Sequence, residues 1–369
     1  MYSVNGRVMF VFAAGLVVAC ADSDDAARSE VAATDAVVSD DTPSTDTEAT
    51  LPDAAADTEA APPDVATDTD ATPETLAPPT SDFVPPTGAG AHAGIEGPWA
   101  RRILGARSVD GLAWVKTGVV ISDQADVPDL VVDDRGWLYL YYYGWTVGPR
   151  QNVPAMAISA DAGATWTFKF LAFDGFPGRG DVADPHVEYL DRAVRIFGST
   201  RTDHTFLTWG ESADGVTFTY GGVAFDPGEN AGVAATYQVG TGATATWHLL
   251  SLASIGLGND EEPGRLWHAT SADGKAFTLV DKPRYEVDGG PLFPGNVVPC
   301  AGGFRFYLFS DMRPMRSYFS ADGTTWTLEV GDRLVLDVGA GLEKGYVGDP
   351  DVVQLPDGSW FMAYATLIP

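Results

Sequence analysis

Cysteine and basic residues are scarce in this sequence of 369 residues. Two cysteines are too few for a disulfide framework or for a cysteine-rich zinc site. Only 22 residues are Lys or Arg, against 51 Asp and Glu, so the formal net charge is −29. This balance excludes the proteins that bind nucleic acid through a basic surface.

Aromatic residues are almost absent from the first quarter of the chain. Phe83 is the single aromatic residue between Ala21 and Gly90, a stretch that holds 17 Asp and Glu. A segment of Ala, Thr, Asp and Pro with so little to bury cannot offset its ordering entropy, and its charges repel one another. We therefore predict a disordered acidic linker over residues 21–91 and one folded domain over residues 92–369.

Long hydrophobic runs are also lacking, apart from one near the start. Arg7 precedes an apolar run of 12 residues, Val8–Ala19, which is shorter than the roughly 20 residues that span a bilayer. The run ends in Val17-Val18-Ala19-Cys20, which resembles the bacterial lipobox. The resemblance implies a lipoprotein signal peptide over residues 1–20 and lipidation of Cys20, which would anchor the protein to a membrane of the cell envelope.

One short motif recurs five times in the folded domain. Each copy has a Ser, an Asp two residues later, and a Gly and a Trp or Phe after them. The five copies begin at Ser108, Ser159, Ser212, Ser271 and Ser320, at separations of 51, 53, 59 and 49 residues. Asp-Gly favours a tight turn, and the Ser and Asp side chains can bond the turn amides. The motif therefore predicts a hairpin at each copy.

The period of about 50 residues corresponds to four short strands, which is one propeller blade. The last strand pair, over residues 351–364, has no motif after it, and the copy at Ser108 has no strand pair before it. Joining the two predicts an all-β, five-bladed β-propeller whose last blade is closed by N- and C-terminal strands. Six blades would require a blade that has lost its motif.

Two family resemblances follow from these segments. The repeated turn resembles the Asp-box of sialidases and related propellers, which marks a hairpin on the outer part of a blade. The strands with Asp beside Pro resemble the inner strands of the arabinanase, levansucrase and invertase superfamily of glycosidases. The matching segments are Val127–Val132, Gly136–Tyr141, Ala183–Val187 and Gly348–Val353.

The second resemblance implies three carboxylates at the propeller axis: an Asp that acts as base or nucleophile, an Asp that orients, and a Glu that acts as acid. Asp129 and Asp184 match the first two positions, but no Glu stands near Ala235–Gln238. A permuted assignment that begins at Asp349 also lacks the Glu, so the acid would have to be an Asp. The leading hypothesis is glycosidic hydrolysis, with Asp129 or Asp349 as base or nucleophile and Asp184 as the orienting residue.

Two alternatives stay open. A non-catalytic propeller that binds a glycan or a protein partner at its mouth would explain the missing Glu. Sialidase chemistry would need three Arg and a Tyr. Tyr237, which we expect on an inner strand, could be that Tyr, and five Arg are available: Arg150, Arg179, Arg201, Arg313 and Arg316. In either glycan hypothesis the candidate substrate-binding residues are His186, Tyr237, Asp351, Trp145, Arg201 and Arg313.

No metal or cofactor is predicted. The His residues show no ligand spacing, and His186 is expected to be a hydrogen-bonded channel residue. Asn259–Glu262 offers oxygen ligands for a structural calcium ion but has no ligand pattern. Ring closure removes the exposed sheet edges through which strands associate, so we expect a monomer.

Overall fold

The described residues form mostly β-strands, which build five blade sheets around an axis and one separate two-stranded sheet. The computed structural model describes residues 78–93, 97–178, 180–190, 193–253, 264–288, 290–310 and 313–369. Within these ranges there is no α-helix, and no helix is long and apolar enough to cross a membrane. Three single turns of 3₁₀ helix occur, at Pro98–Ala100, Gly242–Thr244 and Val338–Ala340.

The strands follow the period of the repeat. In chain order they are β1 (Arg101–Ser108), β2 (Val115–Asp123), β3 (Ala125–Val132), β4 (Leu138–Val147), β5 (Arg150–Ser159), β6 (Thr167–Phe170), β7 (Ala172–Asp174), β8 (Ala183–Leu190), β9 (Ala193–Arg201), β10 (Thr205–Ser212), β11 (Thr217–Phe225), β12 (Gly232–Val239), β13 (Thr246–Leu252), β14 (Leu266–Ser271), β15 (Thr278–Asp281), β16 (Glu286–Val287), β17 (Gly290–Pro291), β18 (Phe293–Cys300), β19 (Gly303–Ser310), β20 (Arg313–Ser320), β21 (Thr327–Leu328), β22 (Lys344–Gln354) and β23 (Trp360–Leu367).

Each blade is an antiparallel sheet of four strands. Blade I is β3-β4-β5-β6, blade II is β8-β9-β10-β11 with β7 added in parallel at its outer edge, blade III is β12-β13-β14-β15 and blade IV is β18-β19-β20-β21. Blade V is β22-β23-β1-β2, so the C-terminal strands are its inner pair and the N-terminal strands its outer pair. The predicted five-bladed ring and its closure by both termini are confirmed.

The repeated motif forms the turn between the third and fourth strand of every blade, and β2 takes the fourth place in blade V. In all five copies the Ser hydroxyl donates to the Asp carboxylate at 2.7–2.9 Å. The Asp carboxylate also accepts backbone amides of the turn, and these bonds lower the pKa of Asp110 and Asp214 below the usual value. The turn is therefore built by its own side chains.

Each motif turn is also held by the preceding blade, through what we call a latch. A side-chain donor reaches a carbonyl of the turn at every one of the five junctions. The latches are Arg107 to Ala162, Tyr141 to Gly215, Arg195 to Gly274, Tyr237 to Gly323 and Tyr307 to Gly111. Because these turns lie at the outer part of the blades and bond neighbouring blades, their role is structural.

The folded unit begins before residue 92. Phe83 is 8% exposed and packs between Phe168 and Phe170 at the outer edge of blade I, with ring centroids 5.7 and 5.1 Å away. Asp82 donates its amide to the Phe168 carbonyl and pairs with Lys169 at 2.5 Å. We call residues 81–92 the strap, because they lie against the propeller although the sequence places them in the linker.

Candidate functional site

All five inner strands break register near their first residues. The shifts fall between Asp126 and Asp129 in β3 and at the matching places in β8, β12, β18 and β22. Four of these bulges place a residue other than Gly at positive φ: Val127 (47°), Asp184 (49°), Val233 (51°) and Asp349 (46°). L-residues adopt this region only at a conformational cost, and such strain clusters at functional sites. The bulges surround the axis at one end of the ring.

A pocket opens between these bulges. Each inner strand contributes to its wall, through Val127, Pro128, Asp129, Asp184, Pro185, Val233, Ala234, Pro294, Gly295, Asp349, Pro350 and Asp351. It encloses about 310 Å³ of empty space, counting the part open to solvent. Blades I, II and V supply four carboxylates, whereas blades III and IV supply small apolar residues. The pocket is therefore acidic on one side.

Asp184 and Asp349 belong to a charged group at the pocket mouth. Arg101, from β1, pairs with Asp126 at 2.5 Å and lies 3.8 Å from Asp349. Burial, together with the negative charge of Asp126, raises the pKa of Asp184 to about 6. The Ser199 hydroxyl and Arg101 oppose this rise by stabilising the anion. Asp184 therefore holds its proton at mildly acidic pH, whereas Asp349 lies beside the Arg101 guanidinium.

Deeper in the pocket, Asp129 is bonded to His186. The Asp129 carboxylate lies 2.6 Å from Nδ1 of His186, and Thr236 donates its amide to Nε2 of the same ring at 3.0 Å. The Asp129 carboxylate raises the pKa of His186 despite the burial of the ring. Nε2 also lies 2.8 Å from the Thr236 hydroxyl, so both ring nitrogens of His186 have polar partners.

The deep polar residues join neighbouring blades. At four of the five junctions a side chain at the bulge accepts an amide from the next inner strand, at 2.8–3.1 Å. The pairs are Asp129 with Val187, His186 with Thr236, Asn296 with Val352, and Asp351 with Leu130. On β12, Ala235 follows the bulge and has no acceptor to offer. The contacts of Asp129 and Asp351 are thus those of structural residues as well as pocket residues.

Asp129, His186 and Asp351 could in principle hold a metal ion, since their ligand atoms lie within 4.8 Å of one another. Their atoms are engaged otherwise: Asp129 bonds the His186 ring, and Oδ1 of Asp351 accepts from both Leu130 and Asn296. We interpret this group as a hydrogen-bonded set and assign it no metal. The segment Asn259–Glu262, considered for calcium, lies outside the described residues.

Several predicted substrate-binding residues lie away from the pocket wall. Tyr237 is on the inner strand β12, as expected, but its hydroxyl forms the latch to Gly323 at 2.9 Å. Trp145 packs edge-on against Trp99 at 5.1 Å and against His92 of the strap. The Trp145 ring therefore packs against other residues of the chain and does not line the pocket.

The Arg residues considered for sialidase chemistry do not converge. Arg201 is exposed at the end of β9, and Arg313 donates to the Val287 carbonyl at 2.6 Å. Arg150 bonds the Leu171 carbonyl, and Arg316 pairs with Asp332. None of these four lines the pocket, and Arg179 and Cys20 lie outside the described residues.

The structure adds site residues that the sequence interpretation missed. Asp126 lies three residues before Asp129 on the same strand, and this closeness was the one feature of the sequence that could have identified it. Arg101 opens the first strand, and its place beside Asp126 and Asp349 follows from ring closure. Glu188 lies 3.6 Å from Nε2 of His186 and bonds the Thr236 hydroxyl, but it does not line the pocket.

Comparison with solved structures supports the fold. A thermostable family-43 glycoside hydrolase superposes with a TM-score of 0.51 at 15% sequence identity, over 66% of this chain and 88% of that one. A glycosyl hydrolase from Bacteroides ovatus (TM-score 0.49, 12% identity, 66% and 81% coverage) and a β-1,2-mannobiose phosphorylase from Listeria innocua (0.47, 14%, 66% and 89%) are also similar. No protein-family model and no curated protein match the sequence. The similarity to the family-43 glycoside hydrolase supports the five-bladed propeller fold of this chain.

Proposed function

We propose that the axial pocket binds a carbohydrate and that Asp184 and Asp349 hydrolyse a glycosidic bond in it. The observation that carries this proposal is the unequal pair of pocket carboxyls at the mouth. Asp184 has a pKa raised to about 6 by burial and by Asp126, whereas Asp349 lies beside the Arg101 guanidinium. Glycoside hydrolysis needs one protonated and one ionised carboxyl across the scissile oxygen, and environments that differ in this way provide them.

In this proposal Asp184 is the general acid and Asp349 the base or nucleophile. In this assignment an Asp takes the role of the Glu that the family resemblance implies as the acid. Asp184 therefore donates a proton, whereas the sequence had suggested that it orients another residue. Asp129 stays a predicted catalytic residue. Its bonds to His186 and to the Val187 amide favour a supporting role, in which it fixes blade II against blade I.

A second candidate is a non-catalytic propeller that binds a glycan or a protein partner at its mouth. Two observations favour it. Among the described residues no Glu lines the pocket, and the two deeper carboxylates, Asp129 and Asp351, are committed to bonds between blades. Hydrolysis would then be absent although a ligand binds.

The deciding experiment screens the full-length protein on a glycan array and assays reducing-sugar release from every glycan that binds. In Asp184→Asn we expect release to fall by roughly 10²–10⁴-fold while binding is retained, the usual effect of removing a general acid. Asp349→Asn should lose release as well. Asp203→Asn, which removes an exposed carboxylate on the same side of blade II, is the matched control and should keep it.

Each outcome separates the candidates. Binding without release from any glycan would reject the hydrolase and leave a glycan-binding propeller. Release that survives in Asp184→Asn would reject our assignment of the acid. A folded protein that binds no glycan would reject both carbohydrate proposals and leave a protein partner at the mouth.

We further propose a location for the protein. The apolar run Val8–Ala19 before Cys20 supports a lipid anchor in a bacterial cell envelope, and the acidic linker would space the propeller from that membrane. We propose a monomer with no nucleic-acid partner. Metabolic labelling with a fatty acid should label the wild type and not Cys20→Ala, and labelling of both would reject the anchor.

A further inference from the structure

Ser199 lies beside the proposed acid Asp184 but is not among the residues of the pocket wall. It is on β9, the strand next to β8, and the register places it opposite Ala183, the residue before Asp184. Ser199 is buried, with 8% of its surface exposed, and its hydroxyl is within hydrogen-bonding reach of the Asp184 carboxyl. The two side chains therefore meet behind the pocket wall, at the bulge of β8.

The Ser199 hydroxyl also joins blade II to blade III. The Val233 amide donates to Oγ of Ser199 at 3.3 Å. Val233 lines the pocket from the bulge of β12, where its φ is 51°. A residue in this strained conformation persists only where its surroundings hold it. Ser199 thus contacts two walls of the pocket at once.

These two contacts fix the direction in which the hydroxyl donates. A Ser hydroxyl has one proton to donate, while its oxygen can accept other hydrogen bonds. The Val233 amide uses the oxygen as an acceptor, and Asp184 is the acceptor that the hydroxyl reaches in the described part of the chain. The Ser199 proton therefore points to one oxygen of the Asp184 carboxyl. In the protonated acid that oxygen is the carbonyl oxygen, so the acid proton lies on the other oxygen.

The charged groups around Asp184 come from other elements. Asp126 on β3 raises the pKa of Asp184, and Arg101 on β1 lowers it. Asp349 on β22 lines the same pocket, whereas the wall residues of β12 carry no charge. A charge acts on the carboxyl as a whole, whereas a hydrogen bond is directed at one oxygen. Ser199 is thus the neighbour that distinguishes the two oxygens of Asp184.

We propose that Ser199 is a positioning residue, which holds the Asp184 carboxyl so that the oxygen turned away from Ser199 delivers the acid proton. This inference rests on the proposed hydrolysis by Asp184 and Asp349. In the reaction the proton passes from that oxygen to the glycosidic oxygen, which keeps the electron pair of the breaking bond to the anomeric carbon. A water activated by Asp349, or Asp349 itself, forms the new bond to that carbon. Ser199 then donates to the carboxylate that Asp184 has become.

The test follows the protonation of Asp184 in the full-length protein, by NMR of ¹³C-labelled Asp side chains. The Asp184 signal is the one that is missing from Asp184→Asn. In Ser199→Ala we expect Asp184 to titrate about one pH unit higher than in the wild type, because the anion has lost a donor. Ser199→Thr keeps the hydroxyl and should titrate as the wild type does. Ser199→Cys, whose thiol is a weak donor, should shift upward and replaces Ser199→Ala if that variant does not fold.

Ser251→Ala is the matched control. Ser251 is buried on the second strand of blade III and donates to the Gly232 carbonyl at 2.9 Å, next to the bulge at Val233. Its removal should lower stability in urea and leave the Asp184 titration unchanged. A merely structural role predicts the same result for Ser199→Ala, so lower stability with an unchanged titration would overturn the inference. An equal shift in Ser251→Ala would overturn it as well.

Activity gives the second readout, on a glycan from which the wild type releases sugar. Ser199→Ala should lower kcat by about tenfold or more, leave KM unchanged and move the alkaline limb of the pH profile upward. Ser199→Thr should restore kcat. Release by the wild type with an unchanged kcat in Ser199→Ala would overturn the role of Ser199 alone. Absence of release by the wild type from every glycan would overturn the proposed hydrolysis and this role with it.

Discussion

Asp184 should make the folded protein less stable at neutral pH, because its charged carboxylate is then buried and lies near the negative charge of Asp126. Its pKa is about 6 in the folded state, against 3.8 for an unperturbed Asp. Between these values the folded state keeps a proton that the unfolded chain has released. The stability that this group contributes is therefore complete below about pH 4 and is lost as the pH rises through about 6.

The magnitude follows from the difference between a pKa of about 6 in the folded state and 3.8 in the unfolded chain, which corresponds to about 3 kcal/mol as an upper value. Asp184 keeps part of its surface in the open pocket, and solvent there screens the interaction. We therefore expect Asp184→Asn to raise the free energy of unfolding by about 2 kcal/mol above pH 7. Near pH 4 the variant and the wild type should be equally stable, since both are then neutral at this position.

The assay is urea unfolding of the wild type, Asp184→Asn and Asp203→Asn across this pH range, followed by tryptophan fluorescence. Asp203→Asn is the control for net charge, because it removes the same unit charge from a fully exposed site whose pKa is lowered to about 2 by its hydrogen bonds to Thr202 and His204. It should give no stabilisation at high pH. Equal midpoints for Asp184→Asn and wild type above pH 7, or a gain that persists at pH 4, would refute the reasoning.

Three further predictions concern stability. Tyr141→Phe removes the latch to Gly215 and should lower the free energy of unfolding in urea by about 1–3 kcal/mol. Tyr142→Phe should not, because that equally buried hydroxyl has no hydrogen bond of standard geometry among the described residues. Equal losses in the two variants would mean that the latch contributes nothing. Burial and the neighbouring His268 imidazole lower the pKa of His248 to about 4, so the free energy of unfolding should fall as the pH drops from about 6.5 to 4. Urea unfolding across this range should show a smaller fall in His248→Phe. An unchanged fall would mean that His248 is not its source. Phe83→Ala should cost about 3 kcal/mol in urea unfolding and speed proteolysis near residue 83, and an unchanged midpoint would show that the strap is not part of the cooperative unit.

The repeat was enough to predict the fold. Ser, Asp and Gly at fixed spacing form a turn through bonds within the motif, so its chemistry can be read locally. Five copies, with a motif copy that lacks a strand pair at one end and a strand pair that lacks a motif at the other, predict five blades and their closure, and the structure confirms both. The Pro that follows Asp184 and Asp349 also indicated the inner strands that carry these residues, whereas the bulges of those strands were not predicted.

The roles of individual side chains were harder to predict from the sequence than the fold. Tyr237 was predicted to lie on an inner strand and does so, but the faces of a blade pack against neighbouring blades. A side chain on an inner strand therefore points along the ring as readily as toward the axis. For this reason Tyr237 contacts Gly323 of the next blade instead of the pocket. Trp145 packs under a strap whose sequence resembles that of the linker.

The sequence by itself determined the blade number and the closure, because turns and strand periods depend on neighbouring residues. It pointed to Asp129, Asp184, Asp349 and Asp351 as candidate residues but not to Asp126. Only the tertiary structure decided which charges meet. Arg101 and Asp126 are 25 residues apart and Asp351 and Leu130 are 221 apart, and ring closure brings each pair into contact. The pKa of Asp184 depends on such contacts and on burial, since electrostatic interactions depend on distance and solvent exposure, which sequence spacing does not specify.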